Sequence, residues 1–114
     1  MTEQPVLVQT IEAAAANLSR GRFCTGTGAV PAAGALCLGV VHEAVAATEP
    51  VPVMTVGVAL CETGNTITLT NGQAKVEVDS SGRVVPFTTG QCVGLALDAA
   101  TGTGQFVRVL LGAR

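Results

Sequence analysis

The chain has 114 residues, the size of a single domain, and it can bury one core without disulfide or metal staples. Hydrophobic residues make up 48% of it and charged residues only 12%, a composition that excludes an intrinsically disordered chain. The net charge is −2, and the few basic residues are scattered without interleaved aromatic residues. The sequence therefore predicts no nucleic-acid partner.

The N-terminal stretch MTEQPVLVQTIE lacks the basic start of a signal peptide, and no apolar run approaches the roughly 18 residues of a membrane span. We expect a soluble protein that is made in a cytoplasm and has no membrane partner. In that reducing compartment the four cysteines should be free and mostly buried thiols, because their spacing matches no zinc site. A Cys37–Cys92 disulfide is the main alternative.

Residues 1–12 are interpreted as an N-terminal arm or a first strand, because residues 5–11 are apolar and β-branched. As an arm, this segment would add as a strand to another protein, and Val6, Leu7 and Val8 are the candidate contacts. As a first strand, it would join the sheet of its own chain. The sequence favours neither alternative. Residues 13–114 are expected to form a single β domain.

Short strands follow along that domain. Residues 13–16 could form one helical turn, residues 36–41 suit a short buried strand, and residues 51–60 are apolar enough to be covered on both faces. Residues 66–70 and 73–79 then alternate apolar and polar side chains around Asn71-Gly72, a strong hairpin signal. This hairpin would set Ile67 opposite Val76.

The stretch Asp79-Ser-Ser-Gly82 is typical of a type I turn and predicts a second hairpin, which folds residues 73–78 against residues 83–86. Both hairpins can coexist in a meander. Residues 92–97 and 105–111 are the last two predicted strands. Few segments have helical periodicity, so the pattern indicates an all-β fold.

Two stretches of the chain are nearly alike. VPAAGALCLGVVHEA and VPFTTGQCVGLALDA share five identical positions at an offset of 55 residues, within longer units at 18–57 and 69–112. We expect a small β-barrel or sandwich built from two related β units, with an extended N-terminal arm. Gly39 and Gly94 occupy matching strand positions, where glycine indicates a bulge or a close backbone approach.

No catalytic, cofactor or metal site is predicted. His42 is the single histidine and has Glu43 beside it, but its repeat equivalent is Leu97, which favours a structural role. The glycine-rich GRFCTGTG lacks the lysine of a phosphate-binding loop and is interpreted as a turn. The remaining carboxylates are scattered along the chain.

Three motifs resemble the phage capsid cement, or head decoration, proteins. They are a Gly-Arg-Val-x-Pro turn at 82–86, a Gly-x-Ala-Leu-x-Ala strand at 94–99 and a final Val-x-Val-Leu-Leu at 107–111. The resemblance covers roughly residues 5–112. Cys37 and Cys92 depart from the family pattern, in which a small apolar residue is more usual.

The resemblance implies a structural, non-enzymatic protein on the outer capsid surface of a virion, assembled in the host cytoplasm. Its partners would be the major capsid protein and further copies of itself, with a trimer favoured over a dimer. Val6, Leu7 and Val8 would then contact the capsid or a neighbouring copy. Another virion component of the tail or neck, or a small-molecule-binding β-barrel with a pocket lined by His42 and carboxylates, remains the alternative.

Overall fold

The computed structural model describes residues 3–12 and 14–111, without the side chains of residues 4–6. It contains eight strands: β1 Gln4–Ile11, β2 Phe23–Cys24, β3 Gly39–Val41, β4 Val51–Glu62, β5 Ala74–Val78, β6 Val84–Pro86, β7 Gly94–Ala96 and β8 Phe106–Leu111. No helix occurs in these described residues, so the all-β prediction is confirmed. The helical turn suggested at 13–16 is absent from its described part, residues 14–16.

The strands form one curled antiparallel sheet, a half-barrel with the order β2-β3-β4-β8-β7-β5-β6. β4 pairs with three other strands, β1, β3 and β8. Its residues Val53 and Met54 pair with both β1 and β3, and Gly57 and Val58 pair with both β1 and β8. Because a strand has only two edges, β3 and β8 lie end to end along one edge of β4, and β1 covers the other.

The side chains of β4 divide between two cores. Met54 belongs to the main core inside the half-barrel, whereas its neighbour Val53 belongs to a smaller core on the opposite face. The prediction that this strand is covered on both faces therefore holds in its first half. In its second half the buried residues alternate with partly exposed ones, as in a strand with one solvated face.

The Asn71-Gly72 turn forms as predicted, but the strand before it does not. Both residues have positive φ, and the main chains of Thr70 and Gln73 bond to each other in both directions, as in a type I′ turn. Ile67, however, bridges to Ala100 instead of Val76. The hairpin prediction for residues 66–70 was wrong, because β7 occupies the edge of β5 that the hairpin would have used.

The second predicted hairpin is confirmed. Val78 pairs with Val84 across a turn in which the Gly82 N–H donates to the Asp79 carbonyl oxygen at 3.1 Å. The Asp79 carboxylate also accepts the N–H groups of Ser81 and Arg83. β6 then returns to the end of β4, where Val84 bridges to Thr63.

The two sequence units have similar strand pairing. β3 lies between β2 and β4, and β7 lies between β5 and β8. The registers differ by one residue: Val40 pairs with Met54, but the equivalent Leu95 pairs with Leu110 instead of Val109. A common origin of the units stays a prediction.

Gly39 and Gly94 do mark close backbone approaches, as their positions predicted. A Cβ atom at Gly39 would overlap the carbonyl of Met54, and one at Gly94 would lie 2.6 Å from the carbonyl oxygen of Leu110. Any side chain at either position would separate the paired strands.

Candidate interaction surface

β1 is fastened to the body of the protein at both ends. At its start the Glu3 carboxylate accepts a hydrogen bond from Arg20 Nη2 at 2.6 Å and another from the Leu60 N–H at 3.1 Å. At its end Ile11 packs against the smaller core. The segment between these attachments is thus held close to β4.

The middle of β1 is exposed. Leu7 and Val8 are 45% and 40% exposed, and Val56, the β4 partner of Leu7, is 39% exposed. Within the described residues, the outer edge of β1 pairs with no strand. We name Leu7, Val8 and Val56 the β1–β4 patch.

The β1–β4 patch includes two of the three candidate contact residues from the sequence. The side chain of Val6 lies outside the described residues. Two register shifts near residues 5–8 interrupt the pairing with β4, and residues 8–11 then pair regularly. Contact of Val6, Leu7 and Val8 with a capsid or a neighbouring copy stays a prediction.

A second exposed apolar segment lies where a buried strand was predicted at residues 36–41; that prediction was wrong for residues 36–38, because β3 begins at Gly39. Leu36 is 67% exposed and Val30 is 45% exposed, on a loop at residues 29–38 that we name the Leu36 loop. The Gly34 N–H donates to the Val78 carbonyl oxygen at 2.8 Å, which fixes this loop against β5. The sequence does contain a signal for this apolar surface, because residues 29–41 include no charged residue.

Several charged side chains of the half-barrel form ion pairs that link its segments. Glu62 accepts hydrogen bonds from Arg83 at 2.5 Å and from Arg22 at 3.1 Å, and so links the ends of β2, β4 and β6. Partial burial acts to raise the pKa of Glu62, but the hydrogen bonds from both arginines outweigh it and lower that pKa. The hydrogen bonds from Arg108 likewise lower the pKa of Asp98.

His42 follows directly after β3 and is partly buried, with its Nδ1 atom buried and without a hydrogen-bond partner in the described structure. The two best-formed surface grooves among the described residues are lined by neither His42 nor a carboxylate. Residues 3–12 and 14–111 contain no group of three or more side chains that could hold a metal ion. Neither groove is therefore the pocket lined by His42 and carboxylates that was expected of a small-molecule-binding barrel.

Two of the cysteines are poor nucleophiles. Burial, together with the nearby Cys37 thiol, raises the pKa of Cys24 to about 11. Burial also raises the pKa of Cys61, whose side chain is fully enclosed. Both groups therefore stay protonated near neutral pH and behave as small apolar side chains.

No helix in the described part of the chain is long and apolar enough to cross a membrane.

The family model of the phage cement proteins matches residues 2–111, which is nearly the whole chain. The chain belongs to the phage cement protein family. It is therefore a structural protein of the phage head, and its location is the virion capsid.

The fold of this cement protein is similar to a solved structure from another phage. That structure is the head fiber gp8.5 N base of bacteriophage phi29, which matches with a TM-score of 0.72 and 17% sequence identity. The match covers 93% of this chain and 95% of the phi29 chain. At this identity the likeness shows a shared fold. No curated protein sequence matches the cement protein significantly.

Proposed function

We propose that this protein decorates the outer surface of the phage capsid and stabilises the head by binding the major capsid protein. The binding is mainly apolar and strand-like, and the β1–β4 patch supplies the central contact. No step of this function requires catalysis. The observation that carries the proposal is the exposed middle of β1, where Leu7 and Val8 lie beside an unpaired strand edge.

The chemistry of this strand favours a protein partner. β1 carries no charged residue between Gln4 and Ile11, so its edge lacks the charges that usually prevent strand addition. An extended partner segment could add to this edge through main-chain hydrogen bonds, with Leu7 and Val8 supplying apolar contact. The Leu36 loop offers a second uncharged contact to the same or another subunit.

Stabilisation then follows from mass action. A protein that binds the assembled shell, and not the dissociated subunits, shifts the equilibrium towards the shell at every site it occupies. Because the contact is largely uncharged, it should persist when salt screens electrostatic attraction. The predicted effect is therefore a salt-resistant increase in capsid stability.

The test uses capsids that lack this protein, to which purified protein is added back. We expect depleted capsids to rupture at a lower temperature, and the added protein to restore them at low salt and at ~0.5 M salt alike. Absence of binding at any salt concentration would contradict the proposal. Virions can also be separated into heads, necks and tails. If the native protein is recovered only with tails or necks, it is a tail or neck component instead.

Matched variants locate the contact. Val8→Lys places a charge on the β1–β4 patch and should weaken capsid binding by about tenfold or more, which is at least 1.4 kcal/mol. Ala99→Lys adds the same charge at an exposed position after β7 and should bind like the unmodified protein. Equal binding by both variants would exclude β1 as the main contact. His42→Ala should retain full activity, because the proposed function does not use this side chain.

The protein is further proposed to act as a homo-oligomer, with a trimer favoured over a dimer, on the family resemblance. A mass measurement of the purified protein by native mass spectrometry tests this point separately. A monomer in solution that still decorates capsids would remove the oligomer from the proposal and leave the capsid contact in place.

A further inference from the structure

An open groove of about 450 Å³ lies on the outer face of the half-barrel, across β5 and β7. We name it the Phe87 groove. Its lining combines polar side chains with an aromatic ring and small apolar surfaces: Thr68, Thr70, Asn71, Gln73, Ala74, Lys75, Pro86, Phe87 and Leu95.

Four neutral polar side chains of the groove have no hydrogen-bond partner among the described residues. Thr68, Thr70, Asn71 and Gln73 make no side-chain hydrogen bond to any described residue. Elsewhere such groups are engaged, as when Thr63 donates to the Gly102 carbonyl and the Gln105 amide donates to Thr101. The groove therefore gathers free hydroxyl and amide groups that can both donate and accept hydrogen bonds.

Phe87 supplies an apolar surface beside these groups. Phe87 is 38% exposed, and Lys75 Nζ lies over its ring at 5.8 Å from the centroid. The face of an aromatic ring carries partial negative charge and attracts weakly positive C–H groups. A ligand that presents both hydroxyl groups and C–H faces would use the two kinds of lining together.

Hydrogen bonds hold the segments on both sides of the groove. On one side the main chains of Thr70 and Gln73 close the type I′ turn. On the other, the buried Glu77 carboxylate accepts the N–H of Thr88 at 2.6 Å and the N–H of Gly90 at 3.2 Å, which holds the loop after Phe87. A preformed site loses less conformational entropy when a ligand binds.

The Phe87 groove is separate from the β1–β4 patch. A series of cross-strand pairs connects the groove to β1. Lys75 pairs with Leu95, and Leu95 pairs with Leu110. Leu110 pairs with Val58, which also pairs with β1. Because Leu95 of β7 lines the groove, its nearer side lies three strand spacings of about 4.8 Å from β1, roughly 14 Å along the sheet. The groove can therefore stay accessible while β1 contacts the capsid.

We propose that the Phe87 groove binds a short neutral saccharide of two or three sugar units. The volume lies in the range of small-ligand sites. Sugar C–H faces pack on Phe87, and the hydroxyl groups of the sugar bond to Thr70, Asn71 and Gln73. The groove has no carboxylate in its lining and a single cation, a balance that suits an uncharged ligand. This activity does not depend on the proposed capsid contact.

The test is an NMR titration of the full chain with chitotriose, maltotriose and cellotriose. For at least one of them we expect amide shifts at residues 68–75 and 87–95, with a dissociation constant on the order of 1 mM, because an open groove covers only one side of the ligand. Absence of shifts with all three at ~20 mM, or shifts centred elsewhere, would overturn the proposal.

Variants separate ring stacking from other effects. Phe87→Leu keeps an apolar side chain but removes the ring, and Thr70→Val removes one hydroxyl at constant shape. Each should weaken saccharide binding roughly three- to tenfold. Phe106→Ala removes another exposed ring, outside the groove, and should change nothing. Equal losses in Phe87→Leu and Phe106→Ala would contradict the assignment.

The saccharide site and the capsid contact can fail independently. Val8→Lys should retain saccharide binding, and Phe87→Leu should retain capsid binding. If Phe87→Leu loses capsid binding, the groove belongs to the capsid interface and the saccharide proposal is wrong. If saccharide binding survives in a protein that binds no capsid, only the proposed function is contradicted.

Discussion

The half-barrel and the β1 end of the molecule use their side chains in opposite ways. In the described residues, the main core of the half-barrel contains 16 buried side chains, and the smaller core beside β1 contains six. Glu62 and Asp98 bind arginines from other segments of the half-barrel, whereas β1 is uncharged and leaves Leu7 and Val8 exposed. The comparison indicates that the half-barrel supplies stability and that β1 supplies surface for a partner.

The two regions should differ most in the stability that is lost when a buried side chain is removed. Met54→Ala in the main core should destabilise the protein by about 3 kcal/mol, because a closely packed interior relaxes little around a lost side chain. Leu18→Ala in the smaller core should cost less, about 2 kcal/mol, since fewer neighbours are lost. Urea unfolding of both variants measures the difference. An equal or larger cost at Leu18 would break the comparison.

A close strand contact of the half-barrel should be the next most sensitive feature. Gly94→Ala forces a Cβ atom against the Leu110 carbonyl oxygen and should cost about 2 kcal/mol. Gly102→Ala is the control, because a Cβ atom there meets nothing within 4 Å. Thermal melts should separate the two variants clearly. Similar melting temperatures would show that the strands adjust without strain.

The Glu62 ion pairs should contribute less, because the side chains of their arginines are still 28% and 29% exposed. Glu62→Gln should cost about 1 kcal/mol at pH 7. The pKa of Glu62 is lowered in the folded protein, so its contribution is present above the ordinary value of 4.5 and is lost as the pH falls through the folded pKa.

The free energies of unfolding of the unmodified and Glu62→Gln proteins should therefore converge as the pH falls below the lowered pKa of Glu62. The exposed Glu43→Gln substitution removes the same charge away from these arginines and serves as the control. A difference that persists undiminished in acid would show that Glu62 contributes by packing and not by charge.

The smallest effect on stability should come from the β1–β4 patch. Val8→Lys should change the free energy of unfolding by less than about 0.5 kcal/mol, because the side chain is already 40% exposed. A large fall in melting temperature would assign Val8 to the fold of the chain instead of to a partner. This variant is a sharper test than deletion of residues 1–8, which would also remove the Glu3 anchor and the pairing with β4.

The repeat shows which features of the fold the sequence predicted and which it did not. The matching positions of Gly39 and Gly94 predicted two close backbone approaches, and both are present. The register within the two units is not readable from the repeat, because it depends on which carbonyl of the neighbouring strand faces each glycine. The exposure of Leu36 was also missed, since an apolar run in the sequence does not reveal whether the run is covered.

The local turns were determined by the sequence itself. Asn71-Gly72 and Asp79–Gly82 form the predicted turns because their backbone conformations depend on a few adjacent residues that tolerate positive φ or bond to their own main chain. Apart from the β5–β6 hairpin, only the tertiary structure decided the strand partners. Ile67 bridges to Ala100 because β7 already holds the edge of β5, and the middle of β1 stays exposed because no strand of the described chain covers it. Such pairings depend on competition between distant segments for the same edge, which the residues beside a turn do not encode.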